Sequence, residues 1–370
     1  MKIAAYTHLH RACRPTGVGN HMIRMVQGLS RAPDVEVTVV APRNQLDEAE
    51  RVPAQSPLAG IPARGLPLGR RWLERMWERL DTPKLDHWCR DADWVYTPTE
   101  AYIAVRRPRL AVTVHDLHAF ETNLPWSRTP GHRAFRRRWA AMFRPIIERA
   151  DCILAASEFT RRRLVELLGA KDERIAVVGN GVDSAFFDAP AGVGPIAQHS
   201  GRYAVVIGGL TRRKGGDLVL CMARELQRIL PDFRVIIAGT GEREFDRPAS
   251  ELPNIVCLGF VGTAQLVQLL RGAVAMVFLS RYEGFGMPLA EAMAAGTPVI
   301  ASRCAALPEV VGEAGLLVDP ENASEVAATI KMLSDDSAVG SDLSARGRQR
   351  AEAYRWELCV ERLLTALRKS

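Results

Sequence analysis

The sequence predicts an α/β protein built from two doubly wound parallel sheets in tandem. Three observations predict it. Short apolar runs that end in a glycine turn and lead into helically spaced residues begin twice, at 3–7 and again at 203–207. Residues 189–200, with Pro190, Gly192, Gly194 and Pro195, have the composition of a linker between those two beginnings. The 370 residues, 47% hydrophobic and 25% charged, suffice for two domains of ordinary size.

In the first half, the strand at 3–7 leads to His8, His10 and the turn Pro15-Thr16-Gly17-Val18-Gly19-Asn20, then to helical spacing over 22–29 and a second strand at 35–41. This is the opening unit of a doubly wound sheet. Residues 44–70 read as a long loop with one short strand. Trp72, Leu73, Met76, Trp77 and Leu80 predict a helix within 71–90, and Asp91-Ala92-Asp93 reads as a surface turn before a strand at 94–96. A buried strand at 111–114 ends in His115-Asp116. A histidine at the carboxyl edge of a parallel strand faces the ligand crevice, although a hydrogen bond within the strand end would also account for it. Between Arg133 and Arg149, six arginines and one glutamate interleave with aromatic and aliphatic residues. Such a segment reads either as a lipid-interface helix or as a core-facing helix with solvated arginines. A strand at 152–155, a helix capped by Ser157 and a strand at 175–178 complete the half, which closes on Asn180-Gly181-Val182-Asp183. The expected boundaries are 1–190 for the first domain, 191–200 for the linker, 201–350 for the second domain and 351–370 for a terminal helix.

The second half repeats the architecture without repeating the sequence. The strand at 203–207 runs into Gly208-Gly209-Leu210-Thr211-Arg212-Arg213-Lys214-Gly215, where glycines admit a ligand to the backbone and cations balance a diphosphate. Strands follow at 233–238 and 255–259. An apolar run at 274–279, the loop 281–286, a helix opened by Pro288 and ended by Gly296, and a strand at 298–301 form the stretch around which the rest is organised. The amides of Met287, Leu289 and Ala290 lie in the helix's first turn, where an anion fits. Glu283 and Glu291 beside such an anion suit the hydroxyls of flanking sugars. Residues 324–333 and 345–367 read as helices.

Nothing in the first residues has the form of a signal peptide, and no apolar run reaches membrane-spanning length, so a cytoplasmic protein is expected. Seven scattered cysteines without a C-x-x-C pair read as reduced core residues. Residues 1–199 hold 29 Lys and Arg against 22 Asp and Glu, while residues 200–370 hold 20 of each. The whole excess of +7 lies in the first half, which points there for an anionic acceptor or membrane surface. No nucleic-acid recognition module accompanies it.

Glu283 and Glu291 with Gly-Phe-Gly-Met-Pro between them, Thr297-Pro298-Val299 and Leu307-Pro308-Glu309-Val310 together resemble the signature of the retaining family 4 glycosyltransferases of GT-B fold. The resemblance implies two Rossmann-like domains facing a central cleft. It implies a donor site made of Glu283, Gly284, Phe285, Gly286, Met287 and Leu289, with Glu291 on the ribose and Lys214 on the phosphates. Gly209 stands where the family has an arginine, which leaves open whether Arg212, Arg213 or neither compensates. Main chain at Phe260 and Val261 would meet the base, and Gly17 and Gly19 the donor phosphate or acceptor. His115 would approach the sugar, and Trp356 would lie on a final helix crossing back to the first domain. No enzyme nucleophile and no metal are expected, since GT-B enzymes do not rely on a D-x-D motif; the nucleotide-sugar is a substrate and not a cofactor. The Gly-Gly-Leu and Leu-Pro-Glu-Val-Val-Gly strings resemble mannosyltransferase-like members, favouring GDP-mannose and a saccharide or lipid-linked acceptor in cell-surface polysaccharide synthesis. Peripheral contact with the inner membrane face through the segment from Arg133 to Arg149 is the accompanying expectation. A glucan or sucrose-type synthase using UDP- or ADP-glucose, and a non-catalytic nucleotide-sugar-binding module, are the competing readings.

Overall fold

The structure, a computed structural model, describes residues 1–8, 17–188 and 201–370. It contains two compact units, one of Met1–Gly181 with Trp356–Ser370 and one of Val182–Arg355. The first changeover therefore falls at Gly181, before the 189–200 stretch, which lies outside the described residues together with His10, Cys13, Pro15 and Thr16.

The first unit runs β1 (Lys2–Tyr6), α1 (Gly17–Arg31), β2 (Glu36–Pro42), β3 (Ala63–Leu66), α2 (Arg70–Leu80), β4 (Trp94–Thr97), β5 (Arg109–Val114), α3 (Pro130–Arg149), β6 (Cys152–Ala155), α4 (Glu158–Leu168) and β7 (Ile175–Val177). Its sheet is ordered β3-β2-β1-β4-β5-β6-β7 with every neighbouring pair parallel. Central strands such as β4 are buried along their whole length, which is why they read as unbroken apolar runs with no alternation. Ser157 caps α4 as expected, its hydroxyl accepting from the Thr160 amide at 3.0 Å.

The second unit begins with α5 (Ser184–Asp188) and continues β8 (Tyr203–Ile207), α6 (Gly216–Ile229), β9 (Arg234–Ala238), α7 (Asp246–Ser250), β10 (Ile255–Gly259), α8 (Thr263–Gly272), β11 (Ala275–Phe278), α9 (Met287–Ala295), β12 (Val299–Ser302), α10 (Leu307–Val311), β13 (Leu316–Val318), α11 (Ala323–Asp335) and α12 (Ser337–Ala351). Its parallel sheet is ordered β10-β9-β8-β11-β12-β13. The last helix, α13 (Trp356–Lys369), belongs to the first unit.

Four readings of the sequence need correction. The helix expected within 71–90 stops at Leu80, because Asp81 turns left-handed (φ 53°) and the residue before Pro83 is kept out of helical geometry. Asp81 is fixed there by the Tyr102 hydroxyl at 2.7 Å and by Lys84 and Arg149. The helix expected over 345–367 is two helices divided by a tight turn at Glu352–Tyr354. That turn is tied by the Tyr354 hydroxyl donating to the Val310 carbonyl at 2.8 Å and by the Val182 amide donating to the Tyr354 carbonyl at 2.7 Å. Of the cysteines expected in the core, Cys221 and Cys257 are exposed, while Cys89, Cys152 and Cys359 are buried. Finally, the apolar stripe of α3 is spent inside the first unit: Phe143 and Ile146 are core residues, with Phe135, Trp139, Met142 and Ile147 packed against them. The core-facing alternative therefore accounts for most of the stripe, with Phe135, Trp139 and Met142 left half-buried.

Candidate active site

In an open parallel sheet a crevice forms where the strand order reverses, because the connections on either side leave in opposite directions. In the second unit that point lies between β8 and β11. The loop after β8 carries the glycine and cation string; the loop after β11 carries Glu283 to Gly286.

The two loops are joined by main chain. The Arg281 amide donates to the Arg213 carbonyl at 2.9 Å, and a side chain at Gly215 (φ +69°) would meet the Leu279 carbonyl oxygen at 2.2 Å. Arg281 reaches Asp217 at 2.7 Å and Glu321 at 3.2 Å, bracing the junction. With the loops so held, Arg213 Nη1 lies 2.8 Å from Glu283 Oε1, which also accepts from the Ser280 hydroxyl at 3.0 Å. Arg213 donates as well to the Tyr282 carbonyl at 3.0 Å. Arg212 turns away and forks onto Glu244 at 2.5 and 2.8 Å. Of the two arginines left open by the sequence, Arg213 is the one brought to Glu283.

Gly209 has a steric explanation. Its φ is +72°, and a Cβ would stand 2.3 Å from the Thr240 carbonyl oxygen, so no arginine fits. Lys214 folds back over Gly208, where an added methyl would lie 1.8 Å from its Nζ, and its ammonium sits 5.8 Å from the Phe278 ring centroid. Burial pushes the lysine below its usual range; Glu283 pulls it back up, Arg213 pushes it down and Glu291 pulls it up. Glu291, on the second turn of α9, is raised to about 8, first by burial and then by the Asp183 carboxylate, with Lys214 opposing.

Gly286 caps α9 at φ 104°, and Pro288 follows in its first turn. Gly284, Phe285 and Gly286 are buried, with Phe285 edge-on to Tyr354 at 5.4 Å, while Met287 is half-buried. Leu289 is a correction. Its side chain is fully buried and its amide donates to the Gly286 carbonyl at 3.0 Å, so it is spent inside the turn and is not open to an anion. Phe260, half exposed, and Val261 follow β10 farther along the same rim, linked to it through the Gly239 amide and the Gly259 carbonyl at 2.7 Å.

The other predicted residues belong to the first unit. Gly17 starts α1 and Gly19 is buried two residues later. The His115 amide donates to Glu100 Oε1 at 2.6 Å, and its Nε2 lies 3.0 Å from the Pro98 carbonyl, to which it donates. Asp116 Oδ1 lies 2.6 Å from His118 Nδ1 and accepts from the His118 amide at 3.2 Å. The sequence did not single out His21, buried on α1, whose Nδ1 lies 2.6 Å from Asn180 Oδ1 and whose ring meets His115 edge-on at 4.6 Å. Burial, then the neighbouring His115, drives His21 well below its ordinary range and keeps it neutral, against its hydrogen bond to Asn180. Trp356 stacks its ring over Gly181, where a Cβ would stand 2.1 Å from it.

Residues 15–186 match the family described as Glycosyltransferase Family 4, and residues 201–336 match Glycosyl transferases group 1. The O-antigen chain mannosyltransferase B of Escherichia coli is 28% identical over 95% of both chains. A phosphatidyl-myo-inositol mannosyltransferase of Mycolicibacterium smegmatis is 32% identical over 60% of this chain and 58% of its own. Among solved structures, a sucrose-phosphate synthase from Thermosynechococcus elongatus superposes with a TM-score of 0.74 at 19% identity, covering 100% of this chain and 98% of that one.

Proposed function

Since the chain belongs to the family 4 glycosyltransferases, retaining enzymes of GT-B fold, we propose that it moves mannose from GDP-mannose to a saccharide or lipid-linked saccharide in cell-surface polysaccharide synthesis. The observation that carries the reading is the convergence of Lys214, Arg213 and Glu283 at the strand-order reversal of the second sheet, with Glu291 near Lys214. The choice of mannose is supported by a likeness to a mannosyltransferase that extends over nearly the whole chain.

In this reading the diphosphate lies at the glycine loop after β8 and the start of α9. Cleavage at the anomeric carbon builds negative charge on the departing diphosphate. Lys214, Arg213 and the Met287 amide meet that charge as it grows, which lowers the barrier because the attraction is stronger in the transition state than before it. The protein supplies these cations itself, so no metal is required. Glu283, already held by Ser280 and Arg213, positions the sugar by its hydroxyls, and Glu291 takes the ribose. The family resemblance gives His115 a sugar contact. No side chain is assigned a covalent role.

The test is turnover of a panel of GDP-, UDP- and ADP-sugars, read as nucleoside diphosphate released with and without saccharide acceptors. Fastest release from GDP-mannose is expected. Preference for UDP- or ADP-glucose would replace the proposal with a glucan or sucrose-type synthase, and no turnover with intact nucleotide binding would leave a binding module.

A further inference from the structure

The first sheet also reverses its strand order, between β1 and β4, and a cavity of about 1290 Å³ opens there. It is bounded by His8 after β1, Gly19 on α1, residues 99–102 after β4, and facing stretches of α2 and α3. We propose that this cavity binds the phosphate or diphosphate group of a phosphate-bearing acceptor, through Arg71, Arg75, Arg79 and Arg138.

The proposal rests on the transferase reading above but stands on different residues. Arg71, Arg75 and Arg79 recur every fourth position on α2, so they form one ridge along the cavity wall, and Arg138 of α3 lines the cavity too. Like charges at that spacing repel and weaken the helix, a cost that a bound anion reverses. Some surface arginines have acids at hand, as Arg144 has Glu148 and Arg161 has Asp172, while others, such as Arg133 and Arg137, have none within 4.0 Å among the described residues. Among the described residues these four form no ion pair within 4.0 Å. Glu74 is engaged by Arg70 at 2.9 Å and by His8 at 3.5 Å, and Glu78 feels Arg138, Arg79 and Arg75 without closing an ion pair to any of them. With Arg70 the lining carries five guanidinium groups against the carboxylates of Glu74, Glu78 and Glu100.

The ridge is roughly 12 Å long, eight residues at the helical rise, too long for one carboxylate and suited to a diphosphate with its neighbours. Guanidinium forks match phosphate oxygens in pairs. Beside the ridge, Phe135 and Trp139, with ring centroids 5.2 Å apart, give the α3 wall an apolar surface for a sugar ring or the first units of a lipid chain. Cations and flat apolar surface meeting in one cavity select a ligand that is anionic and amphiphilic at once.

The experiment is calorimetric titration of the full chain, in excess GDP to occupy the donor site, with inorganic pyrophosphate, citronellyl diphosphate, and vesicles containing phosphatidylglycerol. Both diphosphates should bind the wild type and bind at least about tenfold more weakly to Arg71→Gln/Arg75→Gln/Arg79→Gln and to Arg138→Gln. All four side chains are exposed, so folding should persist, checked by circular dichroism. Tighter binding of citronellyl diphosphate than of pyrophosphate assigns the phosphate to a lipid carrier; equal binding assigns it to a soluble phosphosugar. Equal affinities in wild type and variants, or no binding of either diphosphate, would overturn the proposal. Vesicle binding lost in the variants without any diphosphate binding would overturn it in favour of a membrane surface. Failure of the transferase reading shows separately, as absent turnover of every nucleotide-sugar while the diphosphate titration keeps its outcome.

Discussion

The two strand-order reversals share a topology and differ in what surrounds them. At the second, short glycine loops bring backbone close, and a few enclosed charges, Lys214, Arg213, Glu283 and Glu291, are drawn together by burial and main-chain hydrogen bonds. At the first, the crevice is wide, and its charges are exposed arginines on helices with an aromatic wall beside them. The sheet determines where a ligand can sit; the residues after each strand determine which. A tight, enclosed site suits a fixed nucleotide, and an open one suits a larger partner.

The strongest way to break that contrast is at Glu283. Glu283→Ala should lower GDP-mannose turnover by about a thousandfold while leaving GDP binding by calorimetry nearly intact, since the carboxylate is assigned to the sugar and not to the nucleotide. Normal turnover would remove the site assignment. Next in size is Gly209→Arg, which restores the family's residue. It should destabilise the second unit by about 2–3 kcal/mol, seen as a lower Tm, because the left-handed backbone and the Thr240 carbonyl leave no room. A variant as stable as wild type would show that the loop relaxes.

A smaller effect separates enclosed from exposed charge by pH. Glu291 has its folded pKa raised to about 8, above the ordinary carboxylate range in which it titrates when unfolded. The folded state therefore holds a proton that the unfolded state has lost, and this contribution is full below the ordinary range and disappears as pH rises towards 8. Glu291→Gln should gain Tm relative to wild type progressively from pH 5 to pH 8, whereas Glu78→Gln beside the open cavity should show a weaker trend. A constant Tm difference across that window would contradict the burial of Glu291. The smallest expected effect is none: EDTA should leave turnover unchanged, because Lys214 and Arg213 are assigned the charge that a metal would otherwise neutralise. Loss of turnover, restored by magnesium, would refute that assignment.

Much of this was legible in the sequence because it is local. Buried strands ended by glycine turns and the helix opened by Pro288 announce themselves within a few residues. The Glu283 to Glu291 string was legible through family resemblance. What could not be read depends on distant partners. The stop at Asp81 is fixed by Tyr102 and Arg149, and the turn before Trp356 by Val310 and Val182. The exclusion of any side chain at 209 comes from Thr240, and the arginine ridge becomes a cavity wall only when α3 packs beside α2 some sixty residues later. Leu289 was misread because its place in the helix is local, but the carbonyl that claims its amide depends on the left-handed turn at Gly286.

The ammonium of Lys214 occupies the volume that a β-carbon on residue 208 would need. Positions 208 and 214 consequently behave as one element of the site. Gly208→Ala should injure catalysis by evicting the lysine, and should do little further harm to turnover once the lysine is gone. A double-mutant cycle of Gly208→Ala with Lys214→Ala would register that dependence as strong non-additivity in turnover.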